Sequence, residues 1–439
     1  MMAHPLFQKK ETLMNDPYEM KSVEEALETV LSNVSCLEAE EVDLLDSLNR
    51  VAAEAMVSDC DIAPFDHAAM DGFALRSCDI ASAREQQPVS LPVVAEVPAG
   101  ATFDGVFPEG ACIRIMTGAA VPSGADAVVK YEIVEYGSGD GREGSVVSFT
   151  HPASPGENVR EKGEEARVGQ AVIEAGEIIS AAGVGFLAGC GLTKVKVHRR
   201  PRVGVIAIGS ELVDPSEPLV LGCIRDSNTA ALSALVSLAG GVVESTQRVA
   251  DDPDALAAAV KSACRDCDFV VTSGGASNGD YDFIKLVIER EGALLMTLVD
   301  MRPGKAQTFG VVDATPVFGL PGNPAAAYCG FEVLVRQALR KMQGYRTFAR
   351  PTVSARLVGD RKKKDPRRIY LRGSLAVAED GSLVAKPAKN QSSGLFSTLQ
   401  CANCLIVLPE GRVEGGKVLD GEMVECVLLD VEEGTVVGR

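Results

Sequence analysis

The sequence predicts a multidomain α/β plus β protein. Its expected parts are a parallel-sheet α/β domain, an inserted β-rich domain, a helical or mixed domain, and a C-terminal β-barrel-like domain. Three observations lead there. Between residues 200 and 348, apolar runs alternate with helix-like segments, the pattern of a parallel sheet covered on both faces. Residues 57–166 and 349–439 instead break into short β-like runs divided by Gly, Pro and Asp. A chain of 439 residues also exceeds what one core accommodates, since single cores stop growing near ~250–300 residues.

The elements follow in order. In YEMKSVEEALETVLSNVS (18–35), Val23, Ala26, Leu27, Val30 and Leu31 recur at helical spacing, and Ser22 with Glu25 fits a capping box. VDLLDSLNRVAAEAMV (42–57) reads as a second amphipathic stretch. From 57 to 166, LPVVAEVPAG, GACIRIMTG, ADAVVKYEIVE and SVVSFTHPA each read as a strand and a turn, and GSGDGREGS (137–145) as an exposed hairpin tip. SAAGVGFLAGCG reads as a short helix packed through small residues. Residues 18–56 and 167–199 are therefore expected to form one discontinuous domain, with 57–166 inserted into it. From 200 to 348, RVGVIAIG, VVESTQRVA and DFVVTSGG are strands, and NTAALSALVSLAGG, PDALAAAVKSAC, DYDFIKLVIEREG and PAAAYCGFEVLVRQALRKM are helices. The last domain, 349–439, carries TVSARLVG, RRIYLRGSLAV, SLVAKPAK, CLIVLPEG and MVECVLLD as strands; KKKDPRR (362–368) reads first as a solvated hairpin face, with ligand contact as the lesser alternative.

Composition narrows the function. Hydrophobic residues make up 46% and charged residues 24%, close to the globular average. A net charge of −18 argues against nucleic acid as a partner, because phosphate backbones attract basic patches. No run approaches the ~20 apolar residues of a membrane span, and the N-terminus lacks the apolar core of a signal peptide. The expected location is the cytoplasm. The pairs Cys264/Cys267 and Cys401/Cys404 lie too far apart for a zinc ribbon and read as reduced thiols. With four histidines in the chain, carboxylates and cations must carry the chemistry.

In open α/β sheets, ligands bind at the carboxyl ends of the strands. Three loops leave such ends: GSEL (209–212), TSGGASNGDYD (272–282) and GLPGNP (319–324). Gly274, Gly275 and Gly279, with Ser273, Ser277 and Asn278, form either a tight turn or a backbone nest for phosphate. Glu211, Asp226, Asp251, Asp280 and Asp282 gather at these ends; Asp226 and Asp251 are either helix caps or members of an Mg²⁺ site. In MRPGKA, Arg302 and Lys305 flank a stiff turn that favours contact with an anion, a surface salt-bridge role being the alternative. Two further segments, PFDHAAMDGFALR (64–76) and RIMTGAAVPSGADAVVK (114–130), are unusual loops without a generic mechanistic signature.

AMDGFALR, RIMTGAAVPSGADAVV, SGGASNGDYDF, MRPGKA and GLPGNPAAA, in this order, resemble the molybdopterin molybdenumtransferase family, which includes MoeA proteins and the gephyrin E domain. The resemblance covers residues 18 to 430. It implies a four-domain subunit, an α/β domain like the molybdopterin adenylyltransferases, and a homodimer whose active site combines the α/β domain of one subunit with the inserted β domain of the other. The substrates implied are adenylylated molybdopterin and molybdate, with Mg²⁺-dependent release of AMP. Contacts with the adenylyltransferase and with recipient molybdoenzymes are also implied.

Carried over by motif, Asp71 and Thr117 are the functional positions of the inserted domain, and Glu211, Asp251, Asp282 and Lys305 those of the α/β domain. Glu165 joins Glu211, Asp251 and Asp282 as a metal position, where relatives often have Asp. Ser273, Gly274, Gly275, Ser277, Arg302, Pro321, Pro324 and Ser393 are expected to bind the ligand. Arg302 replaces a Lys of some relatives, and Leu298 stands where others carry another Lys. Two alternatives stay open on the sequence: a ligand-binding scaffold of the gephyrin type, and adenylyl transfer to molybdopterin.

Overall fold

The computed structural model describes residues 16–275, 283–411 and 416–429. They divide into two compact units: Glu40–Val197, and the residues up to Ala39 together with those from His198 onward.

The larger unit is built on a seven-stranded sheet. Its order is Met20–Lys21, Gly292–Val299, Ala306–Val312, Thr315–Leu320, Phe269–Ser273, Arg202–Ile208 and Val242–Val249. The four strands from Thr315–Leu320 to Val242–Val249 run parallel to one another, as expected. The parallel run ends at Ala306–Val312, which pairs antiparallel on both sides. The short Asp313–Ala314 turn, with both residues at positive φ, returns the chain as a hairpin where a parallel connection would need a crossover helix.

Alternation along each strand feeds two cores. Val203 and Val205 pack with Leu232, Leu235, Val236, Ala327 and Leu339 on one face. Ile206 and Ile208 pack with Leu256, Val260, Ile284 and Val287 on the other. Helices Asn228–Leu238 and Pro324–Met342, the latter with a π turn at Phe331–Val335, cover the first face. Helices Pro253–Asp266 and Phe283–Glu291 cover the second. Phe309 and Phe318, opposed across the hairpin with ring centroids 5.7 Å apart, are fully buried; truncating either to Ala would cost about 3–5 kcal/mol.

Helix Val23–Ser32 starts at the expected capping box: Ser22 Oγ accepts from Glu25 N, and the Glu25 carboxylate accepts from Ser22 N. Its apolar face, Val23, Ala26 and Val30, is part of the first core of the α/β sheet. The segment expected to belong with 167–199 is thus divided, its helix joining the larger unit and its remainder the smaller.

The C-terminal strands close a five-stranded barrel in the order Arg368–Val377, Leu383–Pro387, Thr352–Leu357, Met423–Leu428 and Cys404–Leu408, which pairs back with the first. KKKDPRR is not merely a solvated face. Lys363 is buried, and its ammonium donates to the carbonyls of Asp365, Arg367 and Gly411.

In the smaller unit, a six-stranded sheet runs Ala127–Lys130, Gly72–Leu75, Cys112–Ile115, Val89–Val97, Val146–Phe149 and Val134–Ser138. Phe73 and Leu75 face one core and Ala74 the other. GSGDGREGS joins the last two strands as the expected hairpin. A separate small core, including Ala52, Met56, Ile179, Leu187 and Val195, holds the mixed part together around helix Ala181–Gly189. VDLLDSLNRVAAEAMV forms no α-helix; it makes a 3₁₀ turn at Leu44–Ser47, bridges at Val51 and Ala52, and a strand at Met56–Val57. Pairing with Ile178 and Val197 overrides its helical spacing.

Candidate functional site

The parallel strands Arg202–Ile208, Phe269–Ser273 and Thr315–Leu320 all end at one cavity of about 800 Å³. Its lining brings together Glu211, Asp251, Ser273, Gly274, Gly275 and Pro324 from the sequence-predicted set, with Asp226, Arg225 and Asn228 beside them. The strand-end loops meet here because parallel neighbours point the same way.

The backbone at Gly274 requires glycine. Its φ is +89°, and a Cβ there would lie 2.1 Å from Ile208 O. The turn therefore seats against the end of the adjacent strand. Gly274 N itself donates to Leu320 O at 3.1 Å.

The acids separate by their bonds. Asp226 is buried and accepts from Thr229 N (3.0 Å) and Thr229 Oγ1 (2.6 Å), so it caps helix Asn228–Leu238. Asp251 is no helix cap. Asp252 caps Pro253–Asp266, while Asp251 Oδ2 accepts from Ser210 N (2.9 Å) and Asp251 N donates to Ser210 Oγ (3.0 Å). This reciprocal pair fixes the GSEL loop against the end of strand Val242–Val249. Glu211 has no side-chain hydrogen bond among the described residues and lies close over Gly209, where a Cβ would meet its Oε2 at 2.6 Å.

A second cavity, of about 740 Å³, lies between the sheet and the barrel. It brings together Arg302, Lys305, Pro321 and Ser393, as predicted, with Arg361, Lys362 and Arg372. Among the described residues its lining holds five cations and no carboxylate. Arg302 reaches Asp365 at 3.1 Å, and Arg367 holds the same carboxylate, keeping its pKa far below the usual range. Lys305 makes no ion pair among the described residues. The guanidinium of Arg372, a residue 1% exposed, donates among the described residues only to neutral oxygens, Ser392 O (2.8 Å) and Thr398 Oγ1 (3.3 Å), and burial lowers its pKa. A charge so placed wants an anion. Sequence reading missed Arg372 and Asn228. The signals were a cation within the apolar strand run RRIYLRGSLAV and an amide directly after Asp226-Ser227.

The two cavities share a wall. Asn323 lines both, Pro321 faces the second and Pro324 the first, while Ser393 and Gly394 divide in the same way. Ala325 N donates to Ser393 O at 2.8 Å, pinning the wall.

In the smaller unit, Asp71 and Thr117 are brought together: Thr117 N and Oγ1 each lie 2.7 Å from Asp71 Oδ1. Glu165 lies elsewhere in that unit, exposed, in a basin of about 820 Å³ lined by Arg160, Glu161, Lys162 and Glu164. Ser277 and Asp282 lie outside the described residues. Among the described residues no group of three or more His, Cys, Asp or Glu converges as a metal cage.

Comparison with known proteins decides the family. Residues 21–191 match the model of the MoeA N-terminal region (domain I and II), 204–341 a probable molybdopterin binding domain, and 354–429 the MoeA C-terminal region (domain IV). The chain belongs to the MoeA family. A molybdopterin molybdenumtransferase of Staphylococcus aureus is 36% identical over 93% of this chain and 95% of the relative. One of Bacillus subtilis is 35% identical over 94% and 95%, and one of Haemophilus influenzae 34% over 88% and 93%. A crystal structure of a molybdopterin biosynthesis MoeA protein from Pyrococcus horikoshii superposes with a TM-score of 0.79 at 30% identity, covering 94% of this chain and all of that one.

Proposed function

We propose that this MoeA-family chain inserts molybdenum from molybdate into adenylylated molybdopterin, with Mg²⁺-dependent release of AMP. The observation that carries the reading is the pair of cavities of opposite charge back to back across Pro321–Pro324. A reaction that joins an oxyanion to a phosphorylated ligand needs both kinds of site side by side.

In this reading the cationic cavity takes molybdate through Lys305, Arg302 and Arg372, with Ser393 at its wall. The acidic cavity takes the pyrophosphate on the Ser273-Gly274-Gly275 turn. Mg²⁺ is commonly held by one or two carboxylates plus ligand phosphates, and the oxygen donors of Glu211 and Asp251 fit that requirement. Bound there, the ion would neutralise charge developing on the cleaved phosphoanhydride. Glu211 and Asp251 orient the phosphates, and the turn's hydrogen-bond donors stabilise the leaving phosphate oxygens. Positioning and charge then suffice without a histidine base. Asp71 with Thr117, and Glu165, are proposed to complete the site from a second subunit.

Homodimerisation is supported by helix Ala181–Gly189, AAGVGFLAG, which carries no polar side chain yet exposes Ala181, Ala182, Gly185 and Ala188. A cytoplasmic location is supported by the free thiols, three of them exposed. Among the described residues no helix is long and apolar enough to cross a membrane.

The test is AMP release from adenylylated molybdopterin by the purified protein with Mg²⁺, with and without molybdate. Molybdate-dependent release with formation of active cofactor is expected. Binding of ligand without AMP release under any oxyanion would overturn the reaction in favour of a scaffold, and ATP consumption with molybdopterin would point to adenylyl transfer.

A further inference from the structure

Asn228 opens helix Asn228–Leu238 at the floor of the acidic cavity, and its carboxamide ties together loops from three strand ends. Nδ2 donates to Ser273 Oγ at 2.7 Å and to Gly322 O at 2.8 Å. A carbonyl only accepts, so the atom facing Gly322 is the nitrogen, and both of its hydrogens are used. Ser273 Oγ therefore acts as acceptor towards Asn228 and keeps its own proton to give. The only described acceptor for that proton is Pro321 O, at 3.5 Å, long for an O–H···O bond. Ser273 is 3% exposed and lines the cavity, so its side chain has little freedom to turn elsewhere. Asn228 Oδ1 is buried and has no partner among the described residues. Buried polar atoms left unpaired are uncommon and collect where function requires a fixed geometry.

We propose that Asn228 is a positioning residue for the transfer reaction: by filling the acceptor side of Ser273, it turns the serine hydroxyl into a donor aimed at a phosphate oxygen in the cavity. The same amide holds Gly322, and with it the wall between the two cavities, at a fixed place relative to that donor. Aspartate would not substitute. Its carboxylate has no hydrogen for either bond and would set a charge against the Gly322 carbonyl. The inference rests on the reading that this cavity takes the ligand's phosphates, and it adds the residue that orients the donor.

The test uses inorganic pyrophosphate with Mg²⁺ as the probe, titrated calorimetrically into the full chain and into Asn228→Ala, Ser273→Ala and the double variant. Each single variant is expected to weaken binding by about tenfold or more, the range of a hydrogen bond to a charged group. The double variant is expected to be no weaker than the worse single one, because both remove the same donor. Multiplying losses in the double variant, unchanged affinity in Asn228→Ala, or no pyrophosphate binding by the parent protein would each overturn the proposal. Asn228→Asp has the same shape and guards against a variant that does not fold. It should bind as weakly as Asn228→Ala, with the adenylylated substrate showing a raised KM and a smaller change in kcat; parent-like affinity would sink the idea. Lack of molybdate-dependent AMP release by the parent protein refutes the proposed reaction and leaves this binding result standing.

Discussion

Thr117 gives both its backbone N–H and its hydroxyl to a single oxygen of Asp71, Oδ1, at 2.7 Å each. Those two bonds, the backbone one first, hold the Asp71 carboxyl below its ordinary range, with Arg114 adding a smaller pull. Oδ2 takes no hydrogen bond among the described residues and stays available to a ligand or partner.

Thr117→Ala removes one of the two bonds, so the Asp71 carboxyl should titrate at higher pH, nearer the usual value. The shift is read by NMR titration of the side chain. Thr117→Ser keeps both donors and should leave the titration unchanged. Because Asp71 is ionised at neutral pH in either case, turnover at pH 7 should respond far more to Asp71→Asn, by about tenfold or more if the carboxylate acts in the reaction.

Two glycines at the acidic cavity should respond in opposite ways. Gly274→Ala meets the backbone oxygen of Ile208 at 2.1 Å and a positive φ, and neither yields easily. A stability loss of about 2 kcal/mol or more is expected in denaturant unfolding. At Gly209 the obstacle is the flexible end of Glu211. Gly209→Ala should stay within about 1 kcal/mol of the parent while displacing the carboxylate, so AMP release should fall and its Mg²⁺ requirement should rise.

In the cationic cavity, Lys305 has no ionic partner to lose among the described residues, whereas Arg302 is tethered to Asp365. Lys305→Ala should raise the KM for molybdate by about tenfold, the scale of one charge-assisted contact, with an unchanged unfolding midpoint. Arg302→Ala should raise it too. Equal molybdate KM values in parent and both variants would remove the oxyanion from this cavity.

Arg368 clasps Glu410 through two nitrogens at 2.8 Å and reaches Glu24 of helix Val23–Ser32 at 2.6 Å. The guanidinium lowers the Glu410 pKa from 4.5 to about 2. A depressed folded-state pKa contributes stability that is present above pH 4.5 and lost as pH falls towards 2. The melting temperature should accordingly rise with pH across that window. Glu410→Gln should flatten this part of the curve and lower the neutral-pH melting point. Half of the Glu410 side chain is exposed, so the effect should be modest and should shrink in high salt.

Much of this architecture can be read from local signals, because caps and alternation act over a few residues. Ser22 with Glu25 starts the helix that their side chains suggest, whereas the cap of Pro253–Asp266 falls on Asp252, one residue beyond the acid singled out in the sequence. Gly292–Val299 and Ala306–Val312 look like any apolar strands, and nothing in their composition announces an antiparallel direction. Leu44, Val51 and Ala52 carry helical spacing, yet pairing with residues more than a hundred positions away decides their conformation. At the site, Glu211, Asp251, Ser273 and Gly274 were legible because strand ends attract function. Arg372 and Lys363 were not: a buried cation is recognised by the oxygens around it, and those come from distant loops.

Helix Val23–Ser32 belongs to a core whose members, beyond the helix and the nearby Val34, begin at Val203, and a whole folding unit lies between them in the chain. During synthesis, the inserted unit emerges complete before the helix meets the strands of its sheet from Arg202–Ile208 onward. At ribosomal rates that wait is on the order of ten seconds. Throughout it the apolar stripe Val23–Ala26–Val30 lacks every core partner from Val203 onward, leaving a nascent segment open to chaperones.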